Sequence, residues 1–196
     1  MPKSLSIDQL KAGRLKALQN ATELLNESSL LFANGYWARS VFLSIVVGEE
    51  LGKHVMLISA LVEVIMNPAT YSWKKFWRRY SSHAVKNKNI LILEDFALTE
   101  VGDLPAYFKE LPNVAFEIEK GRQTALYSDC IEDVFHSPTD LFTERMATNA
   151  LAWAKGRVDL IREFENRSLF RIETMTTAEL SVHVSALRDK FKKFNA

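Results

Sequence analysis

The stretch Trp73–Lys88, WKKFWRRYSSHAVKNK, gathers residue types suited to a phosphate diester. Between Val64 and Leu93 there is no Asp or Glu, while Lys74, Lys75, Arg78, Arg79, Lys86 and Lys88 all fall in that window with His83 among them. A histidine near its neutral pKa can move the proton of a ribose 2′-hydroxyl or of a leaving 5′-oxygen. An arginine can grip a phosphate with two parallel hydrogen bonds and stabilise the charge of a pentavalent phosphorus. Lys86 and Lys88 add further, salt-dependent attraction. Arg78 and His83 are spaced R-x4-H. Arg79 and His83 share a face if one helix runs through them, and Arg78 turns towards His83 if the helix breaks at Ser81-Ser82. On spacing alone a solvated cationic helix with a surface histidine is the simpler account, because R-x4-H is short.

A second group is GEELGKH, residues 48–54. At 100° per residue, Glu50 and His54 fall on the side of Leu43, Val46, Val47, Leu57 and Leu61, and Gly48 and Gly52 fall opposite, where a neighbouring helix could come close. A carboxylate on an apolar face is costly unless paired, so Glu50 predicts a cation on a neighbouring helix. It then acts as an active-site acid or orienting group, or as a core ion pair fixing helix register. A third group is EKGRQTALYSD, residues 119–129. Arg122 is a candidate partner for Glu50 or a second phosphate ligand, and Tyr127 and Asp129 sit where a helix ends. Di-metal bundles use Glu-x-x-His pairs. Glu50 to His54 and Glu132 to His136 both miss that spacing by one residue, and H-E-x-x-H is absent from the sequence. No metal and no cofactor is expected. His136 and His183 read as structural.

The elements that must position these groups are helices. Ser6 is a helix N-cap with Asp8 in the first turn, and Gly35 suits the C-terminal end. A second long helix is expected from about Tyr36 to Met66, antiparallel to the first because the link is so short. Trp73, Phe76, Trp77 and Tyr80 line one stripe of a short helix with Lys74, Lys75, Arg78 and Arg79 on its other side. Ala84–Leu98 continues as another helix. Asp103–Asn113, with Pro105 and Pro112, reads as a loop with a short helical turn, and Val114–Tyr127 as helix. SDCIEDVFHSPTD reads as irregular. Thr139 or Asp140 caps a long helix to about Asn166, and Thr177 caps a last one ending in the basic RDKFKKF. The whole is an all-α bundle with an irregular mid-chain insertion, expected as a single domain over residues 1–196.

Composition bounds the rest. The 196 residues are 47% hydrophobic and 25% charged, with a formal net charge of +1, so a nucleic-acid surface must be a local patch. The single cysteine, Cys130, excludes an intrachain disulfide framework and suits a reducing compartment. The N-terminus lacks the apolar core of a signal peptide, and no apolar run approaches the ~20 residues of a membrane span. A cytoplasmic protein without membrane contact is the expectation.

Three stretches in order, ARSVFLSIVVGEELGKHVMLISAL, FWRRYSSHAVKNK and EKGRQTALYSD followed by Pro138, resemble the AbiV-type abortive infection proteins of the HEPN superfamily, over roughly Ala21 to Asp140. The resemblance implies a HEPN-like helical bundle that dimerises and serves bacterial defence against phage, where a toxic activity arrests translation and growth of the infected cell. Many HEPN proteins are metal-independent ribonucleases whose R-x4-6-H histidine and arginine, from two protomers, form one composite site. Carried onto this chain, those roles fall on Arg78 and His83, with Arg79 and Lys86 beside them and Glu50, Lys53, Lys88, Arg122 and Tyr127 in support. In many HEPN nucleases the motif precedes the last helix of the bundle, whereas here it lies mid-chain. His83 and Lys86 acting with Arg122 is therefore the alternative. The expected partners are a second copy, RNA as substrate and a phage-encoded protein as trigger. The competing readings are a non-catalytic helical module whose aromatic and basic surface binds a viral or host protein, and an antitoxin-like or nucleotide-binding HEPN partner.

Overall fold

The computed structural model describes residues 4–98 and 104–166, with isolated residues between 175 and 185. The first helix, α1 (Ile7–Ala33), starts at a capping box: the Ser6 side chain accepts from the backbone N–H of Gln9, and the Gln9 side chain accepts from that of Ser6. Asn34 ends it, and Gly35 takes the left-handed conformation (φ +77°) that lets the chain reverse into α2 (Trp37–Met66). Ser28 of α1 bonds Ser40 and Ser44 of α2 in a buried hydroxyl cluster that closes this hairpin.

Helix α2 is the axis of the bundle. Every residue from Val47 to Gly52 is buried, so no single face meets solvent there. Around α2 lie α1, α3 (Trp73–Tyr80), α4 (His83–Leu98), α5 (Leu104–Thr124) and α7 (Glu144–Asn166). Between α5 and α7 come a hairpin, β1 (Asp129–Ile131) with β2 (Val134–His136), and a four-residue helix, α6 (Pro138–Leu141). One apolar cluster joins Leu10, Leu57, Leu61 and Phe76; a second joins Ala21, Val47, Leu51, Ile90 and Val158; a third joins Val41, Ala125, Phe142 and Ala147.

Two glycines set how closely α2 is approached. A Cβ on Gly52 would stand 2.1 Å from the backbone oxygen of Lys86, so α4 lies on α2 only because that atom is missing. A Cβ on Gly48 would stand 2.4 Å from the ring of Trp153 on α7. Glu49 meets His83, Gly52 meets Lys86, and Met56 and Asn89 line one pocket, so α4 runs beside α2 in the same direction.

The all-α architecture agrees with the sequence pattern, and three segments differ from it. Residues expected as a loop around Pro105 and Pro112 belong to α5. Pro105 sits at its second position, where an N–H has no helical acceptor anyway, and Pro112 costs one rung of the ladder. The stretch expected to be irregular forms the β1–β2 hairpin, closed by Glu132 and Asp133 at positive φ (51° and 64°), the conformation a two-residue mirror-image turn demands. Ser137, with Pro138 behind it, caps only α6; the long helix begins later, at Glu144, capped by Thr143, whose hydroxyl accepts from the Met146 N–H. Thr177, His183 and RDKFKKF lie outside the described residues. Thr176 and Glu179, which are described, form a reciprocal cap one residue before the expected one.

Candidate active site

The break at Ser81-Ser82 decides where His83 points. The Ser81 hydroxyl bonds the carbonyls of Trp77 and Arg78, closing α3, and α4 restarts at His83. His83 is thereby the first residue of a helix that Gly52 draws onto α2, and it lands over Glu49. Its Nδ1 is 2.6 Å from Oε2 of Glu49. The Nζ of Lys86, one turn on, is 3.0 Å from the same oxygen. From α5, Nε of Arg122 comes to 3.3 Å of Oε1. The Glu49 side chain is 4% exposed and that of Lys86 6%, whereas that of His83 is 44% exposed. The cluster is a buried carboxylate under an accessible imidazole.

Arg122 is itself held. Its Nε and Nη2 bond both oxygens of Glu119, at 2.9 and 2.7 Å. The Arg122 hydrogen bond holds Glu119 below the usual carboxylate range against the opposing effect of burial, and the same bond raises Arg122. Two carboxylates, Glu49 and Glu119, thus face two cations, Lys86 and Arg122, and the formal charges cancel.

The tautomer of a neutral His83 follows from the acceptor. A carboxylate cannot donate, so Nδ1 carries the proton and Nε2 keeps its lone pair. Lys86 Nζ, 3.4 Å from Nδ1, is then a second donor converging on Glu49 and not a partner for the ring. A carboxylate fixing one nitrogen while the other faces solvent is the arrangement of a histidine able to take up and return a proton.

Sequence reasoning named Glu50 where the structure places Glu49. Glu50 is buried as well, but its partner is Lys53 of the same helix, with the Lys53 Nζ 5.9 Å from the centre of the Tyr80 ring. The expected cation on a neighbouring helix belongs to Glu49, one residue earlier. Arg122 correspondingly pairs with Glu49 and Glu119 and not with Glu50. Glu119, absent from the sequence-based candidates, had a signal in its i, i+3 spacing to Arg122.

The structure brings His83, Lys86 and Arg122 together. Arg78 and Arg79 stand apart on the exposed side of α3, and among the described residues the Arg78 guanidinium makes no ion pair or hydrogen bond. Lys88 is half-buried on another side of α4 from Lys86. Tyr127 is exposed just past α5, near enough to Arg122 for its phenol to act on that charge.

Glu49, His83 and Glu119 each offer a ligand atom within 4.8 Å of the others, a spacing a cation can use. Lys86 and Arg122 already bring positive charge to those carboxylates. A divalent ion would have to displace both, so the donor set fits a metal poorly.

A second buried network lies elsewhere. Arg14 of α1, His54 of α2 and Glu165 of α7 meet: Arg14 pairs with Glu165, His54 Nε2 is 3.1 Å from the same carboxylate oxygen, and His54 Nδ1 is 2.9 Å from the Arg14 carbonyl. Burial pushes Glu165 up, but the His54 and Arg14 hydrogen bonds, with their charges, bring it net below the usual range. This network joins three helices and has little exposure.

Among the described residues no helix is long and apolar enough to cross a membrane. A family model described as HEPN_AbiV, AbiV, matches residues 9–158, a span containing every member of the Glu49 cluster. No curated protein and no solved structure gives a significant match.

Proposed function

The chain belongs to the AbiV family of HEPN proteins, a family of abortive-infection defence, and from that premise we propose that it is a metal-independent endoribonuclease with His83 as its acid–base group. The observation that carries the reading is the 2.6 Å contact between buried Glu49 and the accessible His83 ring. Nε2 of His83 takes the proton of a ribose 2′-hydroxyl. The 2′-oxygen attacks the adjacent phosphorus, and the bond to the 5′-oxygen breaks. That oxygen takes up a proton, leaving a 2′,3′-cyclic phosphate and a 5′-hydroxyl. Glu49 orients the ring and stabilises it while it is positively charged. Cleavage of cellular RNA arrests translation and growth of the infected cell, with a phage-encoded protein as trigger.

Lys86 and Arg122 hold Glu49 and are neutralised by it and by Glu119. The phosphate charge must then be met by cations outside the cluster, from α3 or from a second copy of the chain in a homodimer. Arg78 acts, on this reading, across such an interface and not within its own protomer.

RNA integrity in cells expressing wild type and His83→Ala, with infection to supply any trigger, is the test. Discrete fragments in wild type that vanish in the variant support the reading. Intact RNA in both, with growth still arrested, refutes it. That result favours the second reading, a non-catalytic module binding a viral or host protein, for which the exposed Lys74, Lys75, Arg78 and Arg79 are the supporting feature.

A further inference from the structure

We propose that the pocket where α2, α3 and α4 meet is a subsite for a nucleotide of the RNA strand, next to the one whose phosphodiester lies at His83. The inference rests on the ribonuclease reading and extends its site along the bundle.

The pocket encloses about 410 Å³, within the ~300–1,000 Å³ of small-molecule sites. Its wall from α3 carries Lys75 and Arg79, both exposed, and neither is paired to a carboxylate among the described residues. They differ in this from Lys86 and Arg122, whose charges are already met. Tyr71 contributes a half-buried aromatic face, set by edge-on contact with Trp73 at 4.8 Å. Asn89 gives its amide N–H to the Val85 carbonyl at 2.7 Å, which leaves its carbonyl oxygen open to a donor. Two free cations, an aromatic face and an amide are the parts of a phosphate-plus-base site.

One acid, Glu63 on α2, shares the pocket. It accepts from the Asn67 amide at 3.3 Å and belongs to α2, whereas the two cations belong to α3. A phosphate therefore belongs on the α3 side and the base towards α2, where a carboxylate can accept from an amino group.

Position links the pocket to the cluster. Glu49 and Met56 are seven residues apart on α2, and His83 and Asn89 six apart on α4, so the pocket lies roughly 10 Å along both helices from His83. Because α2 and α4 run in the same direction, one extended strand can occupy both places. Single-stranded RNA is the form whose splayed bases can enter such a pocket.

The test is binding of a fluorescein-labelled single-stranded oligoribonucleotide across a salt series, for wild type, Lys75→Glu/Arg79→Glu and His83→Ala. The charge reversals are on exposed side chains, and circular dichroism checks that the fold is kept. Loss of two phosphate contacts should weaken binding at least ~10-fold and flatten the log–log salt dependence by about 1.4. Tyr71→Leu should weaken binding several-fold without changing that slope. Unchanged affinity and slope in the double variant overturn the subsite, and so does an equal loss on duplex RNA, which would make Lys75 and Arg79 a general polyanion patch. Cleavage by wild type that is lost in His83→Ala would leave the ribonuclease reading standing through either failure. Wild type that neither binds nor cleaves RNA overturns both.

Discussion

Replacing Gly52 by alanine tests the geometry that puts His83 on Glu49. The added Cβ would sit 2.1 Å from the Lys86 carbonyl oxygen, and ordinary contact begins at 3.4 Å, so α4 must retreat by roughly 1.3 Å. The obstacle is backbone, which a rotamer change cannot relieve. Moved as a rigid rod, α4 carries His83 and Lys86 with it. The 2.6 Å His83–Glu49 contact opens to as much as ~3.9 Å and the 3.0 Å Lys86–Glu49 contact to as much as ~4.3 Å, both past hydrogen-bonding range.

The cost in stability is smaller than the cost to the site. Alanine gains about 1 kcal/mol of helix propensity over glycine, and overpacking costs about 1–3 kcal/mol. The net loss is then about 0–2 kcal/mol, which a bundle of this size can absorb. The expected protein is folded but has a released imidazole. Long-range 15N–1H NMR of the histidine rings reads the tautomer directly. Wild-type His83, when neutral, should carry its proton on Nδ1, and Gly52→Ala should shift it towards the Nε2-protonated mixture of a free ring. Gly48→Ala is the control. Its Cβ meets the far edge of the Trp153 ring on α7, at 2.4 Å, and α4 is not involved. A Gly52→Ala protein that keeps the wild-type tautomer would refute the claim that this close approach sets the site.

Glu49→Gln should be costlier than any surface change. It leaves Lys86 and Arg122 facing only Glu119, so the formal balance moves to +1, and losing one partner of a buried ion pair costs about 3–5 kcal/mol; urea unfolding measures this, and RNA cleavage should fall by ~10²-fold or more as the ring loses the negative charge that stabilises it once protonated. For Glu165, a folded-state pKa below the ordinary 4.5 means that its stabilising contribution is complete above about pH 4.5 and is lost as pH falls through the lowered value. Urea midpoints of wild type should therefore drop on acidification through that range, while Glu165→Gln, weaker at neutral pH, should show a flatter acid limb; parallel curves would remove Glu165 from the account.

How far the sequence reached depends on which kind of pattern each feature obeys. Local chemistry was readable: the Ser6–Gln9 cap, the Gly35 turn and the break at Ser81-Ser82 each need only a few adjacent residues. The aromatic stripe of α3 was readable for the same reason, and Phe76 lies at its buried centre with Trp73, Trp77 and Tyr80 around it. The hairpin at Glu132-Asp133 was not, because neither residue advertises positive φ as Asn-Gly would.

The choice between Glu49 and Glu50 failed for a deeper reason. A helical wheel assumes one wet face and one dry one. On α2 the run from Val47 to Gly52 is dry all round, so phase cannot say which carboxylate matters. What separates the two is reach. Glu50 finds Lys53 one turn along its own helix, and that pair can be read from spacing. Glu49 finds His83, Lys86 and Arg122 from α4 and α5, at separations of 34 residues and more, and only the bundle brings them in. Gly52 was nonetheless legible as a point of close approach, and it stands one turn from Glu49. On a helix buried all round, the carboxylate beside the glycine that admits a cation-bearing neighbour is the better candidate than the one that best fits an apolar face.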